Sequence, residues 1–112
     1  MITTHVLDVS KGKPAVGVPV LLEYSAGSQT WLELGRNVTD ADGRAKNLVA
    51  DNADLQSGTY RLSFDTSLYF NVQDDDAFYP QVQVTFTIKD VKQHYHVPLL
   101  LSPFGFTTYR GS

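Results

Sequence analysis

Two of the three histidines in this 112-residue chain stand two positions apart, in the stretch HYHVPLLLSP at 94–103, and the third, His5, lies near the other end. Imidazole is the side chain whose ordinary pKa, ~6.5, lets it take or give a proton near neutrality. Alternate positions of a strand share a face, so His94 and His96 point one way with Pro98 and Leu100, while Tyr95, Val97, Leu99 and Leu101 point the other. Imidazoles presented in this way suit general acid and base work on water, or a metal if further ligands join them. A closed zinc site takes four ligands; His5 is the one remaining imidazole and the chain has no cysteine, so neither a metal nor any other cofactor is expected. Arg44, directly after Asp42-Gly43, offers a planar fork of donors suited to a flat, carbonyl-rich or anionic ligand. The closing tetrapeptide adds Tyr109, Arg110, Gly111 and Ser112. Taken singly, each of these fits an ordinary surface or structural role.

Short strands must position them. Turn signals recur at 11–15 (KGKPA), 25–28 (SAGS), 39–43 (TDADG), 56–58 (QSG) and 102–103 (SP), with period-two alternation between them. Segments 2–9, 18–25, 30–36, 60–65, 81–89, 94–101 and 104–110 read as strands, and a short eighth at 44–47 completes two four-stranded sheets. In DTSLYFNVQ, Asp65 or Thr66 can cap a first helical turn and Leu68 and Val72 share a helical face, which predicts one short helix between the fifth and sixth of these elements. The expectation is an all-β, two-sheet β-sandwich of about eight strands with one short helix, a single domain over residues 1–112.

Strand parity sorts the candidates further. Thr3, His5, Leu7 and Val9 share a face opposite Ile2, Thr4, Val6 and Asp8. In the last segment Phe104 and Phe106 read as core anchors, which turns Tyr109 outward with Thr107 and Gly111. His5, His96 and Tyr109 thus belong to an outer face that also carries Pro98 and Leu100. Apolar groups beside half-buried imidazoles are poorly suited to open water and suit a ligand cleft between subunits.

Composition narrows the function classes. Nine Lys+Arg against 12 Asp+Glu give a net charge of −3 with the cations scattered, which argues against a nucleic-acid partner. The longest wholly apolar run, VPLLL at 97–101, is far shorter than the ~20 residues of a membrane span, so no membrane partner is expected. The start MITTHVLDV has no basic residue before Lys11 and no long apolar run; with no cysteine, the expected location is cytoplasmic. Asn37-Val38-Thr39 fits a glycosylation sequon, which such a location leaves unused. Asp40 and Asp42 before Gly43 resemble part of a calcium loop, but no glutamate closes it, and an aspartate–glycine hairpin turn accounts for them.

THVLDVSKGKPAVGVPVLL near the start, TDADGR near the middle and HYHVPLLLSPFGFTTYRGS at the close, taken together, resemble the transthyretin-related family and specifically its 5-hydroxyisourate hydrolase branch. The resemblance implies a transthyretin-like (prealbumin-like) sandwich assembled as a homotetramer, with sites at the dimer–dimer interface. It implies hydrolysis of 5-hydroxyisourate, the small-molecule substrate, to 2-oxo-4-hydroxy-4-carboxy-5-ureidoimidazoline in urate breakdown. Carried onto this chain, the catalytic set is His5, Arg44, His96 and Ser112, and the substrate-binding set adds Tyr109, Arg110 and Gly111. His94 matches the motif, with a supporting role at the rim. One of His5 and His96 would deprotonate water while the other orients the substrate or protonates the leaving nitrogen; the residues do not say which. The competing reading is a non-enzymatic, transthyretin-like carrier of a planar aromatic ligand, which would not require these groups together.

Overall fold

A computed structural model describes residues 1–27, 29–51 and 53–112. Eight strands and one helix follow in chain order: β1 (Ile2–Asp8), β2 (Lys13–Pro14), β3 (Pro19–Ser25), β4 (Leu32–Val38), β5 (Gly58–Phe64), α1 (Thr66–Val72), β6 (Val82–Ile88), β7 (Tyr95–Ser102) and β8 (Gly105–Thr108). They form two four-stranded sheets, ordered β2-β1-β7-β8 and β4-β3-β5-β6. Every pairing is antiparallel except β1 with β7, the strands that carry His5 and His96, with His94 just ahead of β7. Their parallel register sets Thr3 opposite His96 and His5 opposite Pro98.

Alternation explains which face is buried. Along β1, Ile2, Thr4, Val6 and Asp8 are buried while the residues between them are half-buried. Along β7, Tyr95, Val97, Leu99 and Leu101 meet Leu22, Tyr60, Leu62 and Phe64 of the opposing sheet in one apolar core. Asp8 sits in that core fully hydrogen-bonded: Ser10 donates through its amide and hydroxyl, Lys11 through its amide, and the Tyr69 hydroxyl at 2.6 Å. Burial works to raise the Asp8 pKa, but these donors outweigh it and hold the carboxyl below its ordinary value. Burial, reinforced by the adjacent carboxylate, pushes Tyr69 up to about 12. This network ties the end of β1 to α1, whose first turn is capped by Asp65 accepting from the Leu68 amide.

Several expectations are corrected. The eighth strand is not 44–47 but Lys13–Pro14, inside a segment read as a turn. Arg44 makes only an isolated bridge to His5, and Asn47 at φ 59° leaves the extended conformation before a ladder can grow. The edge of β1 is therefore shared, with Pro14 and Lys13 against Leu7 and Asp8 and Arg44 against His5. The aspartate–glycine turn forms, but it joins β4 to that bridge on the other sheet instead of closing a hairpin. Phe104 and Phe106 are not core anchors, being 71% and 40% exposed. Phe104 lies at the tip of the β7–β8 turn, and Phe106 shares the inward face with Leu101 but stands on an edge strand, where it meets Tyr79 edge-on at 5.3 Å. Leu68 and Val72 share a helical face that is exposed; the buried positions of α1 are Thr66, Tyr69 and Phe70. The turn expected at 25–28 is described to Gly27, and Ser28 lies outside the described residues. Among the described residues no helix is long and apolar enough to cross a membrane.

Candidate active site

Arg44 is delivered by its turn. Asp40 Oδ1 accepts from the amides of Asp42 at 2.9 Å and Arg44 at 3.1 Å, and Gly43 N–H donates to the Asp40 carbonyl at 2.9 Å. The Arg44 amide is the first reason the Asp40 carboxyl lies below its ordinary pKa, so the ionised side chain is what holds the turn. Gly43 adopts φ +79°, and a Cβ there would stand 2.4 Å from the Val6 carbonyl oxygen and 3.3 Å from the His5 ring. The close approach allows Val6 N–H to donate to Gly43 O at 2.7 Å, which pins Arg44 beside His5. Gly43→Ala is therefore expected to cost about 1–3 kcal/mol of stability, read as a lowered urea midpoint, through both the left-handed backbone and the clash.

His96 is held from two directions. On β1, the Thr3 hydroxyl oxygen lies 2.8 Å from His96 Nδ1 and 2.7 Å from His94 Nε2, with the two rings 6.4 Å apart. On the other side the Gly111 amide donates to the His96 carbonyl at 2.8 Å in an isolated bridge. Thr3, Arg44, Lys46, His94, His96 and Ser112 line one cavity of about 460 Å³. Burial first, then electrostatic repulsion from Arg44, His5 and His94, lowers the His96 pKa below its ordinary 6.5. His96 is thus a neutral base at neutral pH, next to a guanidinium that can hold an anionic or carbonyl-rich ligand.

The predicted set divides when placed in space. Arg44, His96 and Ser112 share the cavity wall; His5 does not line it, but stands half-buried on the same face of β1 one pleat beyond Thr3. Gly111 touches the site through its backbone. Tyr109 and Arg110 belong, within one chain, to a separate depression beside Phe86 and Tyr95. There Arg110 lies 4.5 Å above the Tyr95 ring and donates to Gln93 Oε1 at 2.7 Å and to the His94 carbonyl at 3.4 Å. Sequence reasoning missed Thr3 and Lys46; the signal for Thr3 was present, since it shares the β1 face with His5. Among the described residues no cluster of three or more His, Asp or Glu side chains is arranged to hold a metal ion. A larger depression of about 640 Å³ on the other sheet, lined by Leu21, Arg36, Ser63 and Pro80 among others, carries no histidine. Its size alone gives it no chemistry.

Fold and site together define a two-sheet sandwich whose parallel central pair displays a histidine–arginine cleft on its outer face. The chain belongs to the HIUase/Transthyretin family, whose profile matches residues 2–111. It is 46% identical over 112 residues to the 5-hydroxyisourate hydrolase of Mus musculus, covering 99% of this chain and 94% of that one. It is 47% identical over 116 residues to the 5-hydroxyisourate hydrolase of Caulobacter vibrioides, covering 99% and 97%. Among solved structures it superposes on the Klebsiella pneumoniae 5-hydroxyisourate hydrolase with a TM-score of 0.82 at 36% identity, covering 99% and 98%. Sea bream transthyretin in complex with thyroxine gives 0.90 at 32% identity, covering 98% and 93%.

Proposed function

We propose that this protein is a hydrolase that opens the ring amide of 5-hydroxyisourate to give 2-oxo-4-hydroxy-4-carboxy-5-ureidoimidazoline. The observation that carries the reading is the meeting of His96 and Ser112, from β7 and the C-terminal tail, with Arg44, from the middle of the chain, in one cavity. The names borne by the relatives at 46% and 47% identity support the same substrate. His96 takes a proton from water, the resulting hydroxide adds to the ring carbonyl, and the carbon–nitrogen bond breaks as the leaving nitrogen is protonated. The product keeps a carboxylate. Arg44 binds the urate-like edge and meets the charge that develops on the carbonyl oxygen. His5, beside Arg44, orients the substrate or supplies the proton to the leaving nitrogen, and Ser112 positions water or a carbonyl oxygen.

Within one chain Tyr109 and Arg110 line a separate depression and not this cavity. A homotetramer that stacks the outer faces of two β2-β1-β7-β8 sheets would bring further side chains to the site from a neighbouring copy, and light scattering on the purified protein tests that assembly.

The likeness to sea bream transthyretin with thyroxine favours a second reading, a carrier of a planar ligand. The two readings diverge on freshly generated 5-hydroxyisourate followed by its ultraviolet absorbance. An enzyme accelerates the decay in proportion to its concentration; a carrier slows it or leaves it unchanged, and that outcome would overturn the hydrolase.

A further inference from the structure

Thr3 Oγ1 is within hydrogen-bond distance of one nitrogen from each of two histidines, His94 Nε2 at 2.7 Å and His96 Nδ1 at 2.8 Å. A hydroxyl carries one hydrogen and two acceptor lone pairs, so it can donate to one ring at most, and at least one of the two rings must donate an N–H to it. The tautomers of His94 and His96 are consequently coupled through a single oxygen. With Nδ1 occupied, Nε2 is the one nitrogen of His96 left to meet water or substrate, and it acts as a base only if it is bare. That requires His96 Nδ1–H to donate to Thr3, which leaves the Thr3 hydroxyl hydrogen free to go to His94 Nε2. Two features favour this direction over its reverse. Arg44 shares the cavity wall with His96, and its fixed positive charge opposes an N–H hydrogen on the cavity side of that ring. His94 is exposed, so its outer nitrogen exchanges freely with water and its Nε2 is available as the acceptor.

We propose that Thr3 is a positioning residue that holds His96 in the Nδ1-protonated tautomer by passing its own hydroxyl hydrogen to His94, and that this gives His94 its role. The parallel register that sets Thr3 opposite His96 makes the arrangement possible, since neighbouring strands present paired residues on one face. Thr3 and His94 then act on the reaction only through His96, an inference that rests on the hydrolase reading for its kinetic part and stands without it for its tautomeric part.

Two measurements on the full chain test this. The first needs no substrate: proton–nitrogen correlation spectra of the histidine rings at neutral pH are expected to show His96 protonated on Nδ1 in the wild type and shifted towards Nε2–H in Thr3→Val. Valine keeps the β-branched shape that a strand accepts, and the wild-type spectrum alone decides the tautomer if that variant folds poorly. The second is kinetic. Thr3→Val and His94→Phe should each lower kcat about tenfold with KM within about twofold, Thr3→Ser should restore turnover, and the double variant should be no slower than the slower single one. Wild-type His96 protonated on Nε2, or single losses that multiply in the double variant, overturns the proposal. The expected tautomers in a protein that does not speed 5-hydroxyisourate decay would sink the hydrolase reading and leave the Thr3 coupling standing.

Discussion

His96→Asn is expected to lower turnover of 5-hydroxyisourate by ~10²-fold or more, because it removes the proposed base from the cavity while leaving a side chain that still hydrogen-bonds. The ring lies on the outer face of β7 and contributes nothing to the core that Val97 and Leu99 make on the other side. Thermal unfolding of the variant should therefore stay within a few degrees of wild type, and a rate loss without unfolding is the signature sought. A variant that retains more than a third of wild-type kcat would remove His96 from the base role. The wild-type pH profile carries the same information with a definite sign. Burial and the neighbouring cations lower the His96 pKa from 6.5, so the acidic limb of kcat/KM falls below that value, not above it. In the window between the folded pKa and 6.5 the unfolded chain binds more protons than the folded one. His96 therefore leaves stability untouched above 6.5 and subtracts from it as the pH falls through that window.

Removal of residues 109–112 is expected to cost a comparable ~10²-fold, through position instead of proton transfer. Ser112 lines the cavity and the Gly111 amide holds the His96 carbonyl at 2.8 Å, so the tail both walls the site and braces its base. A single methyl group resolves the two contributions. In Gly111→Ala a Cβ would stand 2.6 Å from His96 Cδ2 and 3.2 Å from Pro98 Cγ, so either the ring turns or the tail lifts away. Pro98 is buried and its ring cannot swing aside as a flexible side chain would, which leaves His96 to give. The alanine variant should fold normally and lose at least tenfold in kcat. Tyr109 is 55% exposed and β8 ends before it, so neither change should lower the melting temperature by more than a few degrees. Full activity in the truncated protein would take the tail out of the mechanism.

Much of this architecture was readable from residue order. Period-two alternation in segments such as ITTHVLD and YHVPLLLS specifies which side chains go inward, because the pleat itself has a period of two residues. Asp65 ahead of TSLYFNV marks a helix start for a local reason, an oxygen that reaches an amide three residues on. The grouping of Thr3 with His5, and of His94 with His96, on outward faces follows from the same arithmetic.

Other features are not local and could not be read that way. Parity assigns Phe106 its inward side, but how far it is covered depends on where the other sheet ends, and on this edge strand it meets Tyr79 and stays 40% exposed. A short strand and a turn look alike in a sequence of two or three residues; only the free edge of β1 makes Lys13–Pro14 the strand and leaves 44–47 a single bridge. Which end of which strand meets which was likewise undetermined until β1 paired in parallel with β7 and put Thr3, not His5, against His96. Residue types alone established that the chain owns imidazoles, a guanidinium and a serine suited to hydrolysis. Their convergence around one cavity of about 460 Å³, with Tyr109 and Arg110 lining a separate depression, was settled by strand register and chain crossing, because distances between groups tens of residues apart are set by hydrogen-bond ladders that no local pattern encodes.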